Sequence, residues 1–433
     1  MSPVLLGAIG FIVLFSLLAL GLPVGVGMAL VGFLGFLFLV SPAAAITKMA
    51  VVPFTTIVSW DLSALPLFIL MAQIVFVSGM GGDLYTLASK WLGRLPGGVA
   101  MGTVAACAGF GAISASSIAT AVTMGSVAIP EMKKLKYAPS LAAGCVAAGG
   151  TMGSLIPPSG ILIIYGIITE TSIGKLFIAG IIPGIIQALL YMILIYIMCT
   201  LRPNMGPKGP VYTFKEKILA FRNIGEIVAL ILLVLGGLLV GWFTPTEAGA
   251  VGAFGAIVFS LFRKRLSWEK FKQALMDTMK STGMIYGILI GASIFNFFAA
   301  VTTIPAQVAN FVGSLPLPPL AIMLVVMVVY LILGCFIDAS AMLLLTIPVF
   351  FPLALSLGFN PVWFGIFCVI AIEVAMVTPP VGINVYVVAG IAPDIPMSTI
   401  FRGIFPFLIA DAVRIAILMF VPATALFLPG LMR

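Results

Sequence analysis

Histidine is absent from this 433-residue chain, and charged residues make up only 8% of it, against roughly 25% in an ordinary soluble domain. The first absence excludes imidazole acid/base chemistry and argues against a catalytic zinc. The five cysteines, Cys107, Cys145, Cys199, Cys335 and Cys368, are scattered through apolar segments at no metal-ligand or disulfide-framework spacing. No Gly-x-x-x-x-Gly-Lys-Ser/Thr sequence occurs, so the phosphate cradle of a primary pump is missing from this chain. Met1 to Gly7 has no basic charge and no small-residue cleavage site follows, so the first helix is expected to be retained rather than removed as a signal.

What the chain has is apolar length. It is 62% hydrophobic, and Val4 to Leu20, Leu62 to Val77, Leu176 to Met198, Ile224 to Val240 and Leu317 to Leu333 each approach the ~20 residues that cross a bilayer core as a helix. An all-α integral membrane protein with about ten crossings, plus re-entrant pieces, is predicted. A net charge of +8 would suit nucleic acid, but the basic residues sit in short loops between apolar runs, as membrane topology requires. The partner is therefore the lipid bilayer and not nucleic acid. Lys133, Lys134 and Lys136, the stretch Arg202 to Arg222, and the stretch Arg263 to Lys280 are all placed in the cytoplasm.

The sequence repeats itself. Ile156-Pro157-Pro158-Ser159-Gly160-Ile161 matches Thr378-Pro379-Pro380-Val381-Gly382-Ile383 at a separation of 222 residues, and Tyr137 and Pro139 fall on Phe359 and Pro361 at the same separation. Gly180 to Pro183 matches Gly403 to Pro406, Gly93 to Pro96 matches Gly313-Ser314-Leu315-Pro316, and Ile129-Pro130 matches Ile347-Pro348. The expected halves are 1–200 and 224–433, joined by a cytoplasmic, proline-rich linker over 201–223. The loop after Ile129-Pro130 holds three lysines and its counterpart, Phe350 to Asn360, holds no charge. Equivalent loops on opposite faces mean an inverted repeat.

Pro-Pro within apolar flanks marks a broken helix. Proline removes a backbone donor and disfavours helix in the residue before it, so Ile156 to Gly160 and Thr378 to Gly382 should be unwound. Such breaks are tolerated at membrane depth only inside protein or along a cavity; the alternative is a pair of ordinary loops at the membrane ends. The freed carbonyls, with the hydroxyls of Ser154, Ser159 and Thr378, suit a hard cation, and the half-helices that follow present N-termini to an anion. Two further breaks, Gly109 to Ser117 and Gly334 to Ser340, read as tips of re-entrant hairpins entering from opposite faces. The serines of the first are alternatively helix-packing positions. Asp338 is a carboxylate in an apolar stretch, costing ~2.5 to 3.5 kcal/mol without a partner; either a bound cation or local hydrogen bonds satisfy it. Glu373 plays a similar part or lies near the external interface. Asp411 and Arg414, three apart, are expected to pair. Asn384, one turn past Pro380, is placed for ligand contact, and Ser293 and Asn296 are weaker candidates of the same kind.

These residues together resemble the large membrane subunit of tripartite ATP-independent periplasmic transporters over nearly the whole chain. The resemblance is carried by Phe243-Thr-Pro-Thr-Glu-Ala-Gly-Ala250, Gly111-Ala-Ile-Ser-Ala-Ser-Ser117, Ile129-Pro-Glu-Met132, Ile156-Pro-Pro-Ser159 and Thr378-Pro-Pro-Val-Gly382. It implies a fixed scaffold, a transport domain of hairpins and broken helices that moves as an elevator, sodium as coupling ion, and the inner membrane of a bacterium as location. It also implies a small membrane subunit, expected here as a separate polypeptide, and a soluble periplasmic binding protein delivering an organic acid such as a dicarboxylate or sugar acid. By position, Ser114, Gly153, Ser154 and Pro157, with Gly334, Asp338, Thr378 and Pro379, are the implied ion-binding residues; Ser116, Ser159, Gly160, Gly382 and Asn384 are the substrate candidates. The second tip shows the family's glycine, aromatic and aspartate as Gly334, Phe336 and Asp338, whereas the first has Ala115 where glycine is frequent.

The competing classes are a stand-alone sodium and divalent-anion symporter, a channel, and an intramembrane enzyme using Asp338 and Glu373 as paired carboxylates. The last two fit poorly, because inverted halves around one midplane site suit alternating access and the two carboxylates lie on different helices without further catalytic groups. No enzymatic activity is expected.

Overall fold

A computed structural model describes residues 2–313, 316–334 and 337–432; Ser314, Leu315, Cys335 and Phe336, all named above, lie outside the described residues. The described chain is helical throughout. The first half holds α1 (Pro3–Ala19), α2 (Val24–Leu39), α3 (Pro42–Ile57), α4 (Ala64–Val77), α5 (Met80–Leu92), α6 (Gly98–Ser114), α7 (Ser117–Lys134), α8 (Pro139–Leu155), α9 (Gly160–Ile168) and α10 (Ile173–Leu201). A short helix, α11 (Phe214–Asn223), occupies the linker. The second half holds α12 (Gly225–Val240), α13 (Pro245–Phe262), α14 (Trp268–Thr302), α15 (Ile304–Gly313), α16 (Pro319–Leu333), α17 (Ala339–Ser356), α18 (Pro361–Ala375), α19 (Ile383–Ile391), α20 (Met397–Phe420) and the one-turn α21 (Ala423–Leu426). By length and composition six helices qualify as membrane spans, or eight if each of two bent pairs is one span. The expected ten are not reached on that criterion, because α1 and α2 stop at 17 and 16 residues.

Helix starts follow local chemistry. Ser2 caps α1 and Ser41 caps α3, each with proline at the first helical position, where a missing N–H is harmless. Thr244 and Glu247 form a reciprocal capping box at α13, with Pro245 between them. The Phe243 to Ala250 motif is thus a helix start, and its Gly249 lets α13 lie against Leu67 of α4.

Packing is exchanged between halves. Helix α2 packs on α14 as α13 packs on α4, α7 on α19 as α17 on α9, and α8 on α20 as α18 on α10. The single 35-residue helix α14 thereby takes the place of α3 and α4, which are bent against each other by 55°. Hydrogen bonds also fix the relative direction of the halves. Lys133, at the end of α7 and beside the start of α8, contacts Asp394, after the end of α19, at 2.5 Å. At the other end, the Tyr165 hydroxyl of α9 donates to the Pro361 carbonyl at the start of α18, at 2.6 Å. The two broken helices therefore run antiparallel, the relation an inverted repeat requires.

The three basic clusters meet on one face. The Ala138 N–H donates to the Met205 carbonyl at 2.9 Å, and Arg263 bonds both the Arg222 carbonyl and the Glu226 carboxylate.

Where α2 crosses α14 the backbones touch. A Cβ on Gly25 would lie 2.6 Å from the Gly287 carbonyl oxygen, and one on Gly291 would overlap the Gly25 carbonyl. Small residues bring helices together in lipid, where dispersion rather than water exclusion drives association. Gly291→Ala is expected to lower the melting temperature of the purified protein by the equivalent of ~1–3 kcal/mol of overpacking. Gly283→Ala, on the same helix with open space around it, is expected to leave it unchanged or raise it; both are read by thermal unfolding in detergent.

Candidate functional site

The predicted breaks are real interruptions. Helix α8 ends at Leu155 and α9 resumes at Gly160; α18 ends at Ala375 and α19 resumes at Ile383. In each break the Pro-Pro bond, Pro157-Pro158 and Pro379-Pro380, is cis. The first break is sealed, with Pro157, Pro158 and Ser159 buried, whereas in the second Thr378 and Pro379 are half-buried and Pro380 is exposed.

The first hairpin tip is shorter than expected. Gly109 to Ser114 continue α6 as helix, because nothing in that run prevents it, and only Ala115 and Ser116 interrupt the chain before α7. Ala115 carries the reversal with φ of 54°, a left-handed conformation that costs an L-residue roughly 1–2 kcal/mol. Ser116 then caps α7, its hydroxyl accepting from the Ala119 N–H at 3.3 Å.

This tip docks on the first break. The Ala115 carbonyl accepts from the Gly160 N–H at 3.4 Å. The Ser114 and Thr120 hydroxyls lie 2.6 Å apart, and Thr120 donates to the Ser116 carbonyl at 2.8 Å. Gly153 of α8 slides beneath them: a Cβ there would sit 2.5 Å from the Ser116 carbonyl and overlap the Thr120 hydroxyl. The Ser159 hydroxyl donates to the Ser154 carbonyl and accepts from the Leu162 N–H, closing the break. Ser114, Ser116, Gly153, Ser154, Pro157, Ser159 and Gly160 thus share one oxygen-rich patch. Thr120 was missed; its signal was its place one helical turn after Ser116 on the same face.

The second tip repeats the design with a charge. Asp338 stands 222 residues after Ser116 and does the same work, its Oδ1 accepting from the Ser340 and Ala341 N–H groups at 3.0 and 3.2 Å. Gly334 at the end of α16 packs directly on Ala375 at the end of α18, with no room for a side chain. Thr378 donates to the Val374 carbonyl at 2.6 Å, which leaves its oxygen lone pairs free. Among the described residues no hydrogen bond joins Asp338 to Thr378, Pro379 or Gly382. Asp338 instead lines a cavity of about 660 Å³ against the α1–α2 corner, Gly21 to Val26, and the middle of α14, including Gly287 and Gly291.

Gly382 starts α19 with φ of 61°. Asn384 is fully buried; its amide donates to the Ala147 carbonyl of α8 at 3.4 Å and its Oδ1 has no partner. The two halves touch here and at Ser117, whose hydroxyl faces the Met376 sulfur at 3.6 Å.

Glu373, read either as an ion ligand or as a residue near the external interface, is fully buried and bonded to Arg414 at 2.9 Å. Arg414 is itself only 1% exposed and also meets Asp411 at 3.0 Å. The 41-residue separation of Glu373 and Arg414 hid the pair from any local reading. The Asp411–Arg414 pairing holds. Ser293 and Asn296 lie on α14, and the buried Oδ1 of Asn296 has no partner.

Residues 11–424 match the family model of the tripartite ATP-independent periplasmic transporter, DctM component. The chain belongs to this family. As the large membrane subunit of such a transporter, it is 36% identical over 89% of its length to the C4-dicarboxylate TRAP transporter large permease protein DctM of Pseudomonas aeruginosa, covering 90% of that protein. It is 31% identical to the sialic acid TRAP transporter large permease protein SiaM of Vibrio cholerae, over 96% of each chain. In fold it resembles the YdaH transporter of Alcanivorax borkumensis, with a TM-score of 0.59 at 15% identity over 84% of this chain and 86% of the other.

Three substitutions, at two positions, test the first tip of this permease. Ala115→Gly is expected to stabilise it by up to ~1 kcal/mol or leave it unchanged, since the left-handed strain and the added chain entropy offset, while Ala115→Val, with a β-branched side chain at positive φ, is expected to destabilise it. Gly153→Ala should lift the tip from α8 and reduce uptake at least tenfold with membrane insertion intact, as read by uptake normalised to protein in the membrane.

Proposed function

We propose that this permease takes up an organic acid across a bacterial inner membrane by sodium-coupled symport. A soluble periplasmic binding protein delivers the acid, and a small membrane subunit completes the complex. The observation that carries the reading is the docking of the first hairpin tip on the first broken helix: hydroxyl and carbonyl oxygens converge around Ser114, Ser116, Thr120 and Gly153 at a point where backbone groups are freed from helix. Oxygen ligands of this kind suit a hard monovalent cation. Ser114, Gly153, Ser154 and Pro157 are the proposed residues of one sodium site, and Gly334, Asp338, Thr378 and Pro379 of the other.

The substrate is an anion, in keeping with the C4-dicarboxylate and sialic acid named for two relatives. Arg414 is committed to two carboxylates, so the half-helix N-termini of α9 and α19, with Ser116, Ser159, Gly160, Gly382 and Asn384, receive the substrate carboxylate. Scaffold helices on the Gly25–Gly291 contact stay fixed, and the hairpins with the broken helices move as an elevator, carrying ions and acid together.

The test is uptake of radiolabelled organic acids into proteoliposomes holding this chain and its small subunit, with and without a sodium gradient and the binding protein. Uptake that needs both supports the proposal. Sodium-driven uptake without the binding protein favours a stand-alone symporter, and uptake indifferent to sodium removes the ion sites. Asp338→Asn keeps the helix cap, because asparagine caps as well as aspartate, but removes the charge. It is expected to raise the sodium concentration for half-maximal uptake tenfold or more with little loss of stability, measured as sodium-dependent initial rates and thermal unfolding.

A further inference from the structure

The linker between the halves carries an apolar surface that the fold leaves uncovered. In α11, Phe214, Ile218 and Phe221 recur at helical spacing and so share one face, yet they are 70%, 51% and 49% exposed. Of the ten residues of the helix only Ala220 is buried. Around the helix, Lys217 borders this stripe on one side, and Lys215 and Arg222 border it on the other.

The helix is held in place from both sides. Thr213 and Glu216 close a capping box at its start. Behind it stands Trp91 of α5, whose ring meets Phe221 edge-on at 5.5 Å and whose indole N–H donates to the Lys217 carbonyl at 3.4 Å. The Lys217 ammonium lies 5.6 Å from the centre of the same ring. Upstream, the linker is stitched to the first half: the Gly97 N–H donates to the Gly206 carbonyl at 2.9 Å, and the Gly209 N–H to the Gly93 carbonyl at 2.8 Å. Downstream, Ile224 alone separates α11 from the apolar helix α12, and the two are bent against each other by 53°.

Position and charge together say what covers the stripe. Its continuity with α12 puts it at the membrane boundary, and three cations in ten residues keep α11 out of the hydrocarbon core. From Arg202 to Asn223 there are five cations, Arg202, Lys208, Lys215, Lys217 and Arg222, against one carboxylate, Glu216. Glu216 is occupied by the Thr213 N–H and hydroxyl, both at 2.7 Å. Among the described residues none of the five cations forms an ion pair. An apolar stripe flanked by unpaired cations suits a helix lying in the headgroup layer of an anionic membrane. We propose that α11 and Trp91 form a lipid-binding surface. Phe214, Ile218 and Phe221 enter the acyl boundary of the leaflet that the basic loops face, and Lys215, Lys217 and Arg222 bind the phosphates of anionic phospholipids. Because the linker also holds the start of α6 at Gly97 and the start of α8 at Ala138, this anchor fixes the depth at which the first hairpin and the first broken helix enter the membrane.

The full-length chain in lipid nanodiscs tests this without recourse to uptake. In discs of equal phosphatidylcholine and phosphatidylglycerol, a nitroxide on Ile218→Cys is expected to be relaxed by dissolved oxygen more than by a water-soluble nickel chelate, with the unsubstituted chain as labelling background. Relaxation mainly by nickel would put the stripe in water, and shielding from both would mean that protein covers it; either result overturns the proposal. Phosphatidylglycerol titrated into phosphatidylcholine discs is expected to raise the unfolding temperature of the wild type. The double substitution Lys215→Gln and Arg222→Gln, at two exposed positions, is expected to weaken that binding about tenfold and to leave the unfolding temperature in phosphatidylcholine alone unchanged. High salt is expected to weaken the wild type's binding likewise. No preference for phosphatidylglycerol, or equal binding by the wild type and the double variant, would also overturn the assignment. The nitroxide readout stands whether or not the double variant folds.

Discussion

Every backbone polar group at membrane depth must find a partner inside the protein, and that requirement governs this structure. Two helices are cut by Pro-Pro, and each cut frees donors and acceptors that lipid would not satisfy. The first hairpin answers the first cut directly: Ala115 accepts from Gly160, and Ser159 turns back to Ser154. At the second, the chain uses its own turn, with the Asn384 N–H on the Met376 carbonyl at 3.2 Å and Thr378 on Val374. The second break, half-open at Thr378 and Pro379, is the looser of the two.

Inverted symmetry turns one solution into two. Ser116 and Asp338 hold the same position in the repeat and cap equivalent helices, one neutral and one charged. Exchange of helices between halves, α7 on α19 and α17 on α9, packs one arm of each hairpin against the broken helix of the other half. Close backbone approach makes the exchange possible, as where Gly403 of α20 meets the Ser140 carbonyl of α8 and Gly144 meets Gly403 in return. A side chain at either position would separate the halves where α8 rests on α20.

Among the described residues, Asp338 and the Glu373–Asp411–Arg414 group show two contrasting settings for charge inside the protein. Asp338 faces a cavity bordered by α1, α2 and α14, whereas Glu373, Asp411 and Arg414 are sealed among α18, α20 and α10. The sealed arginine is not available to substrate, which shifts anion recognition in the proposed mechanism onto backbone amides and hydroxyls.

The sequence alone determined the membrane class, the duplication, the two Pro-Pro breaks and an interruption of the chain within each predicted tip, because each rests on local physics: apolar length, proline chemistry, and a 222-residue recurrence. It also placed the basic loops on one face, since lysine and arginine are excluded from lipid wherever they fall in the chain. Tertiary structure decided the rest. That Gly109 to Ser114 stay helical, that Thr120 joins Ser114 and Ser116, that Asn384 reaches Ala147, and that Glu373 finds Arg414 across 41 residues all depend on which helix faces which. In so apolar a chain every helix face looks alike to a periodicity argument, and only the packed arrangement tells a lipid-facing side from a buried one.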